Sequence, residues 1–176
     1  AGGLRAAGEG AGDEGGFEER DAEGEQATAV TSAGSLASED LDLARASATP
    51  AAQARASSVS TDPVLFTAVT DAVEADLVDS NEEPGGNITG TSDAVPPEAL
   101  EGQFDRITEM VPDAKKVGIV YAAGEVNSEV QVEQATEVAA DRDLEIVTQT
   151  VTTANDIAQA TEALGDVDAL YVPTDN

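Results

Sequence analysis

The sequence predicts an α/β fold built on doubly wound parallel sheets, and three observations carry that reading. Short runs of buried-strand type recur from Val59 onward, helical patterns with one apolar face separate them, and the residues just past the strands are polar. Strand and helix alternating at this spacing is the signature of βαβ units, whose parallel sheets take helices on both faces. Such sheets bind ligands outside the carboxyl ends of their strands, so those positions are the candidates for function.

The elements follow in chain order. Residues 1–30 form an acidic, Gly-rich segment, poorly ordered or the remnant of a first helix: between Arg5 and Ala29 the only large apolar residue is Phe17, too little to build a core. A helical pattern starts after Ala27 and runs through Leu36, and Leu41 to Ala48 reads as a poor strand interrupted by Asp42, Arg45 and Ser47. Thr49-Pro-Ala-Ala-Gln53 places a hydroxyl at an N-cap and a proline at the first helical position. Val64 to Val69 is a short buried-type strand, and a helix is expected near Ala72, capped by Asp71. Pro84 to Asp93 is Gly-rich without the order of a phosphate cradle, and reads as a turn followed by a strand crossing between lobes. Leu100, Phe104, Ile107 and Val111 fall at i, i+4, i+7 and i+11, one face of a helix. Val117 to Tyr121, Leu144 to Val151 and Ala169 to Val172 are three further strands, separated by helices over Asn127–Arg142, with Asn127 or Ser128 as cap, and Asp156–Leu164.

Polar residues stand at four strand ends, which would share one sheet edge. Thr49, with the free N–H groups of the helix it opens, can hold a ligand carboxylate. Asp71, after Thr70, can cap its helix, accept a ligand ammonium, or do both. Glu125, Asn127 and Ser128 follow a Gly-containing turn, and Thr174, Asp175 and Asn176 lie just past the last strand; each meets a ligand or serves its turn.

Composition removes several chemistries. With neither His nor Cys there is no Ser-His-Asp or Cys-His nucleophile pair, no Cys₂His₂-type zinc site and no disulfide. The acidic residues of the opening segment do not have the spacing of a calcium loop, and neither a metal nor a cofactor is expected. Eight Lys+Arg against 36 Asp+Glu give a net charge of −28, which excludes binding driven by nucleic-acid phosphates. A folded chain of this size exposes roughly 8,000 Å², or about one uncompensated negative charge per 300 Å². Such repulsion destabilises a compact state in dilute buffer and is screened within about 3 Å in molar salt. The protein is therefore expected to be halophilic, with a melting temperature that rises from dilute buffer to molar salt; a flat response would refute this. No run approaches the ~20 apolar residues of a membrane span. The chain starts without Met and stops after a strand-like run, so both ends read as cuts.

The runs Phe66-Thr-Ala-Val-Thr-Asp71, Pro84-Gly-Gly-Asn-Ile-Thr-Gly-Thr-Ser-Asp93, Val111-Pro-Asp-Ala-Lys-Lys-Val117, Gly124-Glu-Val-Asn-Ser128 and Tyr171-Val-Pro-Thr-Asp-Asn176 resemble the substrate-binding proteins of ABC importers of the tryptophan/tyrosine type. Order and spacing match over about Ala48 to Asn176. The resemblance implies a two-lobe periplasmic-binding-protein-like fold, present here as a fragment: a first lobe over 31–88, incomplete; a crossing at 89–95; and a second lobe over 96–176, truncated. It implies an extracytoplasmic protein, periplasmic or lipid-anchored and monomeric, that binds an amino acid, aromatic by preference, between its lobes and passes it to a membrane permease. Carried over by position, Thr49, Thr70 and Asp71 would line the first lobe, Thr91 and Asp93 the crossing, and Glu125, Asn127, Ser128, Thr174, Asp175 and Asn176 the second. The ligand ammonium would fall to Asp71 or Asp175, and its carboxylate to Thr49 or Asn176. With five aromatic residues in the chain, stacking partners are few, which keeps a small polar or aliphatic amino acid open.

Two departures bear on this. The family's apolar opening strand is absent, and its Asp-Leu-Ile-Val-Ala strand is replaced by Leu41-Asp-Leu-Ala-Arg-Ala-Ser-Ala48, where burying Arg45 unpaired would cost on the order of several kcal/mol. Weak or no ligand binding by this chain alone is the expectation. The rival readings are a ligand-sensing domain of a regulator, which lacks a DNA-binding helix-turn-helix here, and an enzyme on a doubly wound sheet, which lacks a nucleophile elbow.

Overall fold

A computed structural model describes Gly16, residues 18–59 and residues 61–174. The chain divides between Ala94 and Val95 into two compact units, each with its own parallel three-stranded sheet.

In the first unit, helix α1 (Gln26–Ala37) precedes strand β1 (Ala44–Ser47), helix α2 (Thr49–Ser58), strand β2 (Val64–Val69) and strand β3 (Ile88–Ser92). The sheet order is β1-β2-β3, with Ala46 opposite Phe66 and Val64 opposite Ile88. Ala29, Ala33 and Leu36 recur at i, i+4 and i+7 and are the buried residues of α1. The small side chains of Ala29 and Ala33 let α1 close on α2, where they pack with Ala54. Residues 26–30 of the opening segment are thus helical, with Ala29 buried, while residues 1–15 and Phe17 lie outside the described residues. Val64, Phe66 and Val69 are the buried residues of β2, and Ala44 and Ala46 those of β1.

Three expectations for this unit change. No helix follows Asp71. One turn closes through Ala75 N–H to Asp71 C=O (3.1 Å), and Asp76 then takes a left-handed φ of 56° that ends it. Residues 89–92, expected in a crossing, are part of β3 and hydrogen-bond along β2 as the sheet's edge. Arg45 is only half-buried and donates from Nη2 to Thr67 Oγ1 (3.4 Å). The fully buried cation is Arg55, in the last turn of α2, which approaches Asp62 at 3.7 Å and donates to Ala33 C=O at 3.5 Å. Burial pushes the Arg55 guanidinium below its ordinary pKa and Asp62 draws it back up.

The second unit runs α3 (Pro97–Met110), β4 (Lys116–Ala122), α4 (Val126–Ala140), β5 (Glu145–Val151), a 3₁₀ turn (Ala154–Asp156), α5 (Ile157–Ala163) and β6 (Ala169–Leu170). The order β5-β4-β6 makes β4 the central strand, and its Val117 and Ile119 are fully buried. They pack with Leu100 and Phe104 of α3 and with Ala135 and Ala139 of α4. The expected apolar face of α3 holds for Leu100 and Phe104; Ile107 is half-buried, and Val111, past the helix end, is exposed. Helix α4 starts at Val126 with Glu125 at its N-cap, so Asn127 and Ser128 lie inside the first turn instead of capping it. Asp156 belongs to the 3₁₀ turn, where it forms a capping box with Thr153. β6 is shorter than expected: Tyr171 N–H still reaches Gly118 C=O at 2.9 Å, but Pro173 has no N–H to continue the ladder.

At the opposite edge of this sheet, Asp168 Oδ2 accepts the N–H groups of Lys115 (2.8 Å) and Lys116 (2.9 Å), tying the approach to β6 to the start of β4. These two backbone donors hold its carboxyl below the usual range. A depressed folded-state pKa stabilises above the unfolded value and is lost as pH falls through the folded one. Asp168→Asn is therefore expected to be less stable than the parent at pH 7, with a difference that shrinks as acid protonates Asp168. Urea melts at stepped pH would contradict this by giving a constant difference.

Among the described residues, no helix is long and apolar enough to cross a membrane.

Candidate functional site

In the first unit the strand ends are shaped by a sharp entry into α2. Ala48, between β1 and the helix, has φ 75° and ψ 155°, a region that is costly for any residue with a Cβ. Its N–H donates to Thr67 C=O (2.9 Å) and its C=O accepts from Ala52 N–H (3.0 Å), so strand and helix together enforce the conformation. Thr49 is thereby the first helical residue and not the cap. Its hydroxyl is buried at 1 % exposure and has no hydrogen-bond partner among the described residues. A buried hydroxyl without a partner is expensive, and here it sits where the helix dipole presents partial positive charge. Ala48→Gly is expected to stabilise the unit by about 1 kcal/mol, since glycine takes this conformation without strain; a lower urea midpoint would contradict it.

At the end of β2, Thr70 Oγ1 donates to Asp93 Oδ1 (3.2 Å), and Ser92 Oγ donates to Thr70 C=O (3.0 Å). Asp71 Oδ1 accepts the N–H groups of Val73 (3.0 Å) and Glu74 (3.1 Å). That oxygen is thus engaged in capping the turn. Thr91 and Asp93 are exposed on and just past β3.

In the second unit the turn after β4 and the segment after β6 meet. α4 carries the chain from β4 to β5, and α5 returns it to β6 on the other side of β4, so the loops after β4 and β6 flank a topological switch point. Glu125, Asn127, Ser128 and Gln131 are all buried there. Asn127 Nδ2 donates to Glu125 Oε2 (3.3 Å), Ser128 Oγ (3.4 Å) and Thr174 C=O (3.3 Å). Gln131 pairs with the Thr174 backbone as a strand would: Nε2 donates to its C=O (2.9 Å) and Oε1 accepts its N–H (2.9 Å). Asn127 Oδ1 is a buried acceptor with no donor among the described residues.

The candidate residues therefore fall at the carboxyl edges of two separate sheets and not along one. The structure joins Thr70 to Asp93, and Glu125, Asn127 and Ser128 to Thr174, whose contribution is its backbone. Asp175 and Asn176 lie outside the described residues. Gln131 was not among the candidates. Its signal is the four-residue spacing Asn127, Gln131, Ala135, Ala139, a buried stripe of α4 that turns polar at the strand-end side. Among the described residues no cluster of Asp and Glu could hold a metal ion.

Comparison with known proteins bears on what these edges do. A family model described as ABC transporter substrate binding protein matches residues 1–176. A tyrosine-binding protein of Clostridioides difficile is 39 % identical over 158 residues, 89 % of this chain and 45 % of its own length. Among solved structures, an ABC domain from Streptococcus pneumoniae in complex with L-Trp superposes with a TM-score of 0.81 at 37 % identity, covering 86 % of this chain and 52 % of that one. A conserved domain protein from Vibrio cholerae O1 biovar El Tor gives 0.75 at 39 % identity, covering 80 % and 47 %. This chain spans about half the length of these relatives.

Proposed function

The chain belongs to the ABC transporter substrate-binding protein family, and from that premise we propose that it binds an amino acid, aromatic by preference, at the carboxyl edges of its sheets. The observation that carries this reading is the set of buried polar side chains at those edges, two of which, Thr49 and Asn127, keep a polar atom without a partner among the described residues. Buried polar groups are satisfied in most proteins, and an unpartnered one calls for a reason such as strain, a bound water or a ligand. Arg55 Nε and Nη2 also lack a hydrogen-bond partner among the described residues but lie under α1, whereas Thr49 and Asn127 stand at strand ends, where parallel sheets take ligands. The preference for an aromatic side chain rests on the tyrosine-binding relative and on the relative solved with L-Trp.

The chemistry at each edge fits an amino-acid ligand. In the first unit, the Thr49 hydroxyl and the N-terminus of α2 are donors suited to a carboxylate. Thr70, Asp71, Thr91 and Asp93 stand at the ends of β2 and β3 in the same sheet, with Asp71 shaping its turn. In the second, Glu125, Asn127, Ser128 and the Thr174 backbone stand at the sheet's carboxyl edge.

The protein is proposed to work outside the cytoplasmic membrane, periplasmic or lipid-anchored, and to deliver its ligand to a membrane permease without chemical turnover. Delivery of this kind needs no catalytic group, only a population shift on binding that a permease can recognise. Calorimetric titration with L-Trp, L-Tyr and L-Phe up to millimolar concentration tests the binding. Saturable heat, with the ligand recovered unchanged, is expected; no saturable binding of any amino acid would overturn the proposal.

A further inference from the structure

The second unit's strand-end cluster joins the Glu125 carboxylate and the Ser128 hydroxyl through the Asn127 amide. Its most informative atom is Asn127 Oδ1. The side chain is 3 % exposed, and its amide orientation follows from its contacts, because Nδ2 faces the Glu125 carboxylate, the Ser128 hydroxyl and the Thr174 carbonyl. Two of these three partners, a carboxylate and a carbonyl, can only accept, so the opposite orientation would set Oδ1 against them. Oδ1 is left as a buried acceptor without a donor among the described residues.

The surrounding charge points the same way. Neither Lys nor Arg occurs between Val117 and Asp141, nor between Asp143 and Asn176. Lys115 and Lys116 stand at the opposite end of β4 from Ala122, about 20 Å along a strand of that length, Arg142 lies beyond the far end of α4, and Arg106 of α3 is ion-paired with Glu109. A helix N-terminus by itself favours an anion, but α4 already has Glu125 at its N-cap and Glu129 in its first turn. A second carboxylate placed there would meet like charge, whereas a positively charged N–H donor would meet both a carboxylate and the Asn127 carbonyl.

We infer that the Glu125–Asn127–Ser128 cluster is the subsite for the ligand's primary ammonium group, with Asn127 Oδ1 as a direct acceptor and Glu125 supplying the charge. This rests on the amino-acid reading above and assigns one pole of that ligand. It places the ammonium in the second unit and leaves Asp71, whose Oδ1 accepts the N–H groups of Val73 and Glu74, to shape its turn. Gln131 is a positioning residue in the same arrangement: by holding both backbone groups of Thr174 it keeps that carbonyl against Asn127 Nδ2 and so keeps Oδ1 turned to the ligand.

Three ligands that differ at one pole test the assignment on the unaltered chain: L-Trp, tryptamine, which lacks the carboxylate, and indole-3-propionate, which lacks the ammonium. In amide-resolved NMR titrations, L-Trp and tryptamine are expected to shift residues 125–131, and indole-3-propionate is not. Glu125→Gln is expected to lower the affinity ratio of L-Trp to indole-3-propionate about tenfold. Indole-3-propionate shifting residues 125–131 as strongly as L-Trp, or an unchanged ratio in Glu125→Gln, would overturn the ammonium assignment while leaving amino-acid binding intact. Failure of all three ligands to bind would overturn both.

Discussion

Phe104→Ala is expected to destabilise the second unit by about 4 kcal/mol, the usual range for removing a fully buried phenylalanine. The ring has no exposed surface and lies in an apolar cluster that joins α3, α4 and β4. Its centroid is 5.4 Å from that of Tyr171, at an interplanar angle of 37°. Tyr171 is three residues before Thr174, so the loss reaches the segment that Gln131 and Asn127 hold. Burial raises the Tyr171 phenol above its ordinary pKa, and opening a cavity beside it should bring that value back down. Urea denaturation together with alkaline titration of tyrosine absorbance reads both effects. A loss under 1 kcal/mol, or an unmoved tyrosine titration, would mean that the ring does not support this segment.

Gly90→Ala is expected to cost the first unit about 3 kcal/mol, the upper part of the range for forcing extra volume into a packed site. Gly90 pairs with Phe66 across β2 and β3, and a Cβ at position 90 would collide with the Phe66 backbone carbonyl and its ring. A ring can rotate aside, but a carbonyl committed to a sheet cannot. The methyl group would therefore push the edge strand off β2, and with it the Ser92 and Asp93 side chains that bond Thr70. Urea denaturation gives the magnitude. An unchanged midpoint would show that β3 yields without cost.

Much of the architecture is readable in the sequence because burial imposes a period. Val64 to Val69 and Val117 to Tyr121 are strands where apolar runs predict them, and Leu100 and Phe104 turn inward as their four-residue spacing requires. What could not be read depends on partners distant in the chain. The turn after Asp71 carries helix-compatible residues, yet the backbone at Asp76 ends it. β6 is short because Pro173 follows it and its neighbour β4 receives only two paired residues. Arg45 and Arg55 look alike as charges near apolar residues; only α1, closing over α2 through alanines, decides that Arg55 is the one buried. At the site, the strand-end rule located the right turns, but the roles within them needed geometry. Thr49 is a helical residue with an unpartnered hydroxyl and not a cap, Asp71 caps a turn, and Thr174 acts through its backbone. Gln131 escaped notice because its partner lies 43 residues away.

Amide-resolved NMR titration of the chain with L-Trp reads amino-acid binding at the strand ends residue by residue, and weak binding is visible in it. Shifts are expected at Thr49 and Ala51, at 125–131 and at Thr174, with none at Lys115, Lys116 or Asp168 on the opposite edge of the second sheet. Shifts confined to that opposite edge, or none anywhere up to millimolar L-Trp, would contradict binding at the strand ends.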